Sequence, residues 1–304
     1  MLEFGFIQAA PACWLQISGE DASRFLQSQF SADLSGPVGQ AVPGLWLDHR
    51  ARIQAESTLL KVSEDRYFAF SVGTPVDVLR AKLERHIIAD DVELDDATGE
   101  VGVLLVAGAQ GRAALERWLG SALPGEGEFL YRQDGYVFPA RRGLDNAFEV
   151  VADRRLLEGL REAFEAGGGK AFAPRELKAA RLAARMPLIP AEVGPDETPA
   201  EAGLEHLCSL TKGCYLGQEV VNRQARLDRS ARTLVPLLIE GELPDNTPPR
   251  LPLESGGAVV GELRGWVSLK GRTRALAMIK SKAVDLPLTL SGHESIPLKL
   301  EKDG

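Results

Sequence analysis

Positions 210–223 read Leu-Thr-Lys-Gly-Cys-Tyr-Leu-Gly-Gln-Glu-Val-Val-Asn-Arg, a run that folding alone does not explain. Gly213 and Gly217 flank Cys214 and Tyr215 and permit positive φ or close backbone approach. The spacing predicts a short helix over 218–223, in which Glu219 and Arg223 pair at i,i+4 in the favoured orientation. Cys214 then stands just ahead of a helix N-terminus with Lys212 two residues away. Amide dipoles and an ammonium both favour thiolate over thiol, so an exposed sulfur here is expected to be reactive. A small buried hydrophobe in a turn is the competing reading, and exposure decides between them.

Other groupings carry less chemistry. His206-x-Cys208-x5-Cys214 offers three ligands, whereas zinc and cluster sites take four with a close cysteine pair, so no metal site is expected. His49, His86 and His293 have no nucleophile or acid spaced to make a triad. Trp46, Tyr215 and Trp266 are read as core rings rather than stacking platforms. Gly108-Ala-Gln-Gly111 lacks the third glycine of a dinucleotide loop and is read as a tight turn. The arginines 223, 226, 229 and 232, with one acid, Asp228, are read as a solvated stretch.

The whole chain bounds these readings. Its 304 residues are 44% hydrophobic and 26% charged, a globular composition with room for two or three units. The net charge of 35 − 43 = −8 disfavours generic polyanion binding, so no direct nucleic-acid contact is expected. The longest apolar run, 101–109, is far short of the ~18 to 20 residues of a membrane span. No Lys or Arg precedes Arg24, so a cationic signal region is missing. A cytoplasmic location without membrane contact is expected, with Cys13, Cys208 and Cys214 as free thiols.

The elements that must position the motif follow from periodicity. A strand is expected over 13–17 and a helix over 20–29, where Ala22, Phe25, Leu26 and Phe30 share a face and Ser18 and Asp21 are spaced as a capping box. Strands near 45–47, 53–62 and 67–72 precede a helix opened by Thr74 as N-cap and Pro75 at N1, with a stripe of Val76, Leu79, Leu83 and Ile87. The acidic run 90–96 reads as an edge strand. Strands near 101–107, 129–132, 136–139 and 148–151 then alternate with helices near 112–119 and 154–164, the second capped by Asp153 and stopped by Gly167-Gly168-Gly169, a ferredoxin-like α+β pattern.

After a helix over 175–185, prolines at 187, 190, 195 and 199 hold the chain extended across a surface or along a cavity. Thr198-Pro199-Ala200-Glu201 is a further capping box. Strands near 233–239, 258–263, 265–269 and 275–279 suggest a small all-β barrel or sandwich.

The octapeptide Lys212-Gly213-Cys214-Tyr215-Leu216-Gly217-Gln218-Glu219 resembles the KGCY-x-GQE signature of the YgfZ family of folate-binding proteins, relatives of the aminomethyltransferase (T-protein) of the glycine cleavage system. Residues 17–27, 45–53 and 181–203 resemble further stretches of that family. The resemblance implies an α+β fold built as a three-part ring around an opening for tetrahydrofolate or a derivative. Its parts would be a discontinuous N-terminal α+β domain (1–98 and 171–232, the second part carrying the motif), a ferredoxin-like insertion (99–170) and a C-terminal β-barrel (233–304).

It also implies an accessory factor that supports assembly or repair of iron-sulfur proteins, tRNA-modifying enzymes among them, with iron-sulfur client or assembly proteins as partners. Cys214 would be the functional thiol, surrounded by Lys212, Gly213, Tyr215, Gly217, Gln218, Glu219 and Arg223, and Glu56, Tyr215 and Arg223 would contact folate. The alternative is an aminomethyltransferase-type transfer of a one-carbon unit to tetrahydrofolate. Two departures stand out. The family stretch R-L-E-A-G, whose glutamate holds the pterin in T-protein, reads Arg181-Leu182-Ala183-Ala184-Arg185 here, and the glycine of L-L-D-x-x-G-r-i is Ala51. Glu56, near the position of a T-protein Asp-Asp pair, is the candidate replacement acid.

Overall fold

The computed structural model describes residues 3–227, 230–292 and 298–300. Asp228, Arg229 and His293 lie outside the described residues. In chain order, the first stretch holds β1 (Gly5–Ala9), β2 (Cys13–Ser18), α1 (Ala22–Gln29), β3 (Ala41–Leu47), β4 (Ile53–Ser63), β5 (Arg66–Ser71), α2 (Val76–Glu84) and β6 (Glu93–Asp96). It continues through β7 (Val101–Ala107), α3 (Ala109–Leu119), β8 (Leu130–Arg132), β9 (Gly135–Pro139), β10 (Phe148–Asp153), α4 (Arg154–Ala166) and β11 (Lys170–Ala171). Helices α5 (Pro174–Ala183), α6 (Pro199–Ala202) and α7 (Gln218–Leu227) follow. The tail comprises β12 (Arg232–Glu240), β13 (Pro252–Ser255), β14 (Ala258–Leu269), β15 (Arg272–Lys280), β16 (Thr289–Leu290) and β17 (Leu298–Leu300).

Three sheets result, ordered β3-β4-β5-β2-β6, β11-β1-β7-β10-β9-β8 and β16-β13-β14-β15-β12-β17. The first two lie face to face, and the period-2 alternation of β2 shows why. Cys13, Leu15 and Ile17 pack against Phe25 and Leu26 of α1 and Leu79 and Leu83 of α2, while Trp14 turns the other way onto Val103, Phe138 and Val151. The second sheet covers its other face with α3 and α4 through Leu104, Val106, Leu115 and Leu157. Strand β7, buried on both faces, is therefore apolar throughout rather than alternating. The mixed α+β class expected from the sequence is the observed one.

Several local expectations are corrected. Residues 5–9, for which periodicity predicted no element, form β1. That strand pairs antiparallel with β7 and parallel with β11 in the second sheet. Asp21 does not cap α1 through its side chain, because its carboxylate accepts the Asp91 amide instead. Helix α2 likewise starts from Pro75, and Thr74 is diverted: its Oγ1 accepts the Glu56 amide at 3.0 Å and donates to Ile189 O at 3.0 Å. The two strands expected over 258–269 are one, β14, with a register shift at Leu263/Gly265. The tail is organised as one six-stranded sheet.

Candidate functional site

The motif loop is built from the first domain's helix outward. Helix α1 ends at Gln29, and Lys212 gathers one carbonyl of its last turn and two from the segment that follows: its Nζ donates to Gln27 O at 2.8 Å, Phe30 O at 2.6 Å and Ala32 O at 2.8 Å. The ammonium also sits 4.9 Å from the centre of the Tyr215 ring. Burial pushes this amine down to about 8, against the pull of Asp33. The Leu216 amide donates to Ser28 O at 3.1 Å, and Gln218 Nε2 donates back to Lys212 O at 3.1 Å. Gly217 closes the loop at φ +85°, where a Cβ would lie 2.6 Å from Asp48 O.

These contacts leave Cys214 exposed and Tyr215 buried in the core that joins the motif to α5 and the tail sheet. They also correct two expectations. The Lys212 charge is spent on three carbonyls rather than directed at the thiol. Helix α7 begins four residues beyond Cys214, and Glu219 and Arg223, both exposed on it, are not ion-paired among the described residues. Gly213 is exposed with open space around it, so no steric need fixes a glycine there. The other thiols are buried, and desolvation pushes Cys13 and Cys208 up to about 12, which leaves them protonated and inert at neutral pH. Partial burial, then Arg141, lowers His206. Among the described residues, no group of three or more His, Cys, Asp or Glu is arranged to hold a metal ion.

A cavity opens where the first two sheets meet the proline-rich segment. Strands β4 and β5 contribute Glu56 and Ser71, the β9–β10 connection Arg141 and Arg142, and the extended passage Pro187 and Leu188. The expectation that this passage lines a cavity holds because Thr74 ties Ile189 to β4, and Glu192 ties Arg181 to Leu188. Phe70 and Phe138, edge to face at 5.2 Å, form an apolar wall. Tyr215 and Arg223, expected to contact folate, do not line it: Tyr215 is held in the core, and Arg223 borders a separate surface hollow with Asn222 and Arg226.

The cavity's polar groups are unequally committed. Arg181 makes a two-pronged pair with Glu192 at 2.6 and 2.8 Å, and Arg141 reaches His206 at 3.1 Å. Glu56 accepts from Ser71 Oγ, and burial raises its carboxyl above the usual range despite Ser71, Arg141 and Arg142. Arg142 Nε holds Glu149 Oε1 at 2.7 Å, while Glu149 Oε2 is buried with no hydrogen-bond partner among the described residues. Two carboxylates, adjacent guanidinium groups and aromatic walls suit a flat heteroaromatic ligand with N–H donors on one edge and anionic groups elsewhere, as in a reduced folate. The sequence signal for Arg141, Arg142 and Glu149 is a charge, Glu149, inside the otherwise apolar stretch 148–152, with Arg141-Arg142-Gly143 a short loop upstream.

The raised Glu56 carboxyl sets a stability expectation. Its folded-state pKa lies above its unfolded one, so its contribution is greatest in acid and is lost as pH rises through the raised value. Glu56→Gln keeps the Ser71 bond and removes the buried charge. It is expected to stabilise the protein by roughly 1 kcal/mol at pH 7 while weakening ligand binding, with the stability gain vanishing near pH 4. Thermal melts at the two pH values check it, and equal gains at both would contradict it.

The chain resembles known proteins in sequence and in fold. Residues 4–133 match the GCVT N-terminal domain. An aminomethyltransferase of Rippkaea orientalis is 30% identical over 167 residues, covering 51% of this chain and 44% of that protein. The tRNA-modifying protein YgfZ of Klebsiella pneumoniae is 28% identical over 216 residues, covering 68% of this chain and 63% of that one. The chain thus spans less than two thirds of the length of these curated relatives. In fold, the aminomethyltransferase T of the Bartonella henselae glycine cleavage system superposes with a TM-score of 0.80 at 19% identity, over 99% of this chain and 86% of that one. Residues 4–133 are thus similar to the GCVT N-terminal domain, and the chain is similar in sequence to a YgfZ protein and to an aminomethyltransferase.

Proposed function

We propose that the protein is a folate-binding accessory factor of the cytoplasm that supports assembly or repair of iron-sulfur proteins, including tRNA-modifying enzymes, through tetrahydrofolate and the thiol of Cys214. The observation that carries the reading is the joint presence of an exposed Cys214 in the YgfZ-like loop and a cavity lined by carboxylates and arginines between the first two sheets. In this reading the three sheets are the parts of a ring around the ligand. Tetrahydrofolate, when bound, supplies a carrier for a one-carbon unit.

The chain's own residues bind and orient. Glu56 accepts N–H groups of the ligand, Arg141 faces its anionic or carbonyl oxygens, and Phe70 and Phe138 exclude water from its ring. The thiol lies outside the cavity, on the surface where a client protein reaches it. One-carbon transfer of the aminomethyltransferase type is the second reading. The observation that favours it is Glu56, a carboxyl raised by burial and placed in the cavity, as a general acid or base requires.

The test pairs binding with rescue. Calorimetric titration with tetrahydrofolate is expected to be saturable. In cells lacking the protein, the wild-type gene is expected to restore iron-sulfur enzyme activity and Cys214→Ala to fail, although the variant melts like wild type because an exposed side chain changes stability by only about 0.5 kcal/mol. Full rescue by Cys214→Ala removes the thiol from the function. Ammonia release from an aminomethyl-lipoyl carrier would establish the second reading instead.

A further inference from the structure

We propose that Glu149, through its free Oε2, accepts the hydrogen bond of the ligand's 2-amino-4-oxopyrimidine edge, supplying the acceptor that Ala183 lacks; the inference rests on the folate reading above. Glu149 is 1% exposed and lines the cavity, yet only one of its oxygens is used. Arg142 Nε, itself largely buried, fixes Oε1 at 2.7 Å, which limits the rotation of the carboxylate. A buried carboxylate oxygen without a donor is costly, and the neighbouring charged donors do not serve it: Arg181 is held by Glu192, and Arg141 Nη2 reaches His206 rather than Glu149. An incoming donor is what the site is missing.

Glu56 differs at its second oxygen: Ser71 serves its Oε1, as Arg142 serves that of Glu149, but its Oε2 is not a buried atom left without a partner. The chemistry that fits Oε2 is a guanidine-like edge, an amino group beside a ring N–H. The pyrimidine half of a pterin presents such an edge and a 2-methyl analogue does not. Glu149 is then a specificity-determining contact made from the second sheet, through β10, rather than from α5, where Ala183 lies at the helix end.

The test is calorimetry of wild type, Glu149→Gln and Glu56→Gln with tetrahydrofolate and with its 2-desamino-2-methyl analogue. Wild type is expected to bind tetrahydrofolate about 10- to 100-fold more tightly than the analogue. Glu149→Gln is expected to lose affinity for tetrahydrofolate by a similar factor and to bind the two ligands alike, whereas Glu56→Gln keeps the preference. A wild type that binds both equally, or a preference erased by Glu56→Gln and kept by Glu149→Gln, overturns the inference and leaves folate binding standing. A wild type that binds neither overturns the folate reading and this inference with it. Should Glu149→Gln fail to melt cooperatively, Arg142→Lys, which frees the carboxylate to turn, is read in its place and is expected to narrow the preference; an unchanged preference counts against the proposal.

Discussion

Glu192→Ala is expected to destabilise the protein by roughly 3 to 5 kcal/mol, the cost of leaving a buried charge without its partner. Arg181 and Glu192 are each 7% exposed at the side chain, so neither guanidinium nor carboxylate has water to fall back on. The loss spreads beyond the pair. Glu192 Oε2 also accepts the Leu188 amide at 2.9 Å, and Arg181 Nη1 also donates to Met186 O at 2.6 Å, so the pair fixes the extended passage that walls the cavity. Tetrahydrofolate affinity should fall with stability for that reason. Gly265 belongs to the same lock, because a Cβ there would lie 2.4 Å from Glu192 Oε1. Urea unfolding measures the effect as a lowered midpoint. The double replacement Arg181→Met/Glu192→Leu, which removes both charges, should recover most of the stability. A single variant within 0.5 kcal/mol of wild type would show that the pair contributes nothing net.

Period and punctuation made most elements legible. Ala22, Phe25 and Leu26 on one helical face, the alternation in β4, Asp153 ahead of α4, whose carboxylate accepts the Arg155 amide, and the Thr198–Glu201 box all do in the structure what their spacing requires. The failures are tertiary. Thr74 and Asp21 have the side chains of N-caps, but the distant extended passage and a loop outcompete the helix for them, through Ile189 and Asp91. Strand β1 is too short and too weakly patterned to announce a partner a hundred residues away. The site divides in the same way. An octapeptide motif marked the thiol loop, whereas the cavity draws on residues 56, 71, 141, 149, 181 and 188, which only the packing of two sheets brings together.

Lys212 is where local reading and tertiary structure diverge most, and it carries the second large prediction. By sequence distance it belongs to Cys214, but by contacts it belongs to the end of α1 and the segment after it, where it gathers the carbonyls of Gln27, Phe30 and Ala32. Lys212→Met keeps the aliphatic stem and removes the head, stranding carbonyls around Phe30 in a largely apolar setting and freeing the Tyr215 ring from its cation. The expected cost is about 3 kcal/mol, from the lost charge-assisted bonds and the cation over the aromatic face. Lys212→Arg should not restore it, since a planar fork cannot place its donors on three converging oxygens as an ammonium does. Cys214→Ala, two residues away, should leave the melting temperature unchanged. Denaturant unfolding of the three variants separates an anchor from a thiol-activating cation. If Lys212→Met unfolded with wild type while still failing to rescue, the lysine would be acting on the sulfur after all, and the carbonyl cage would be incidental.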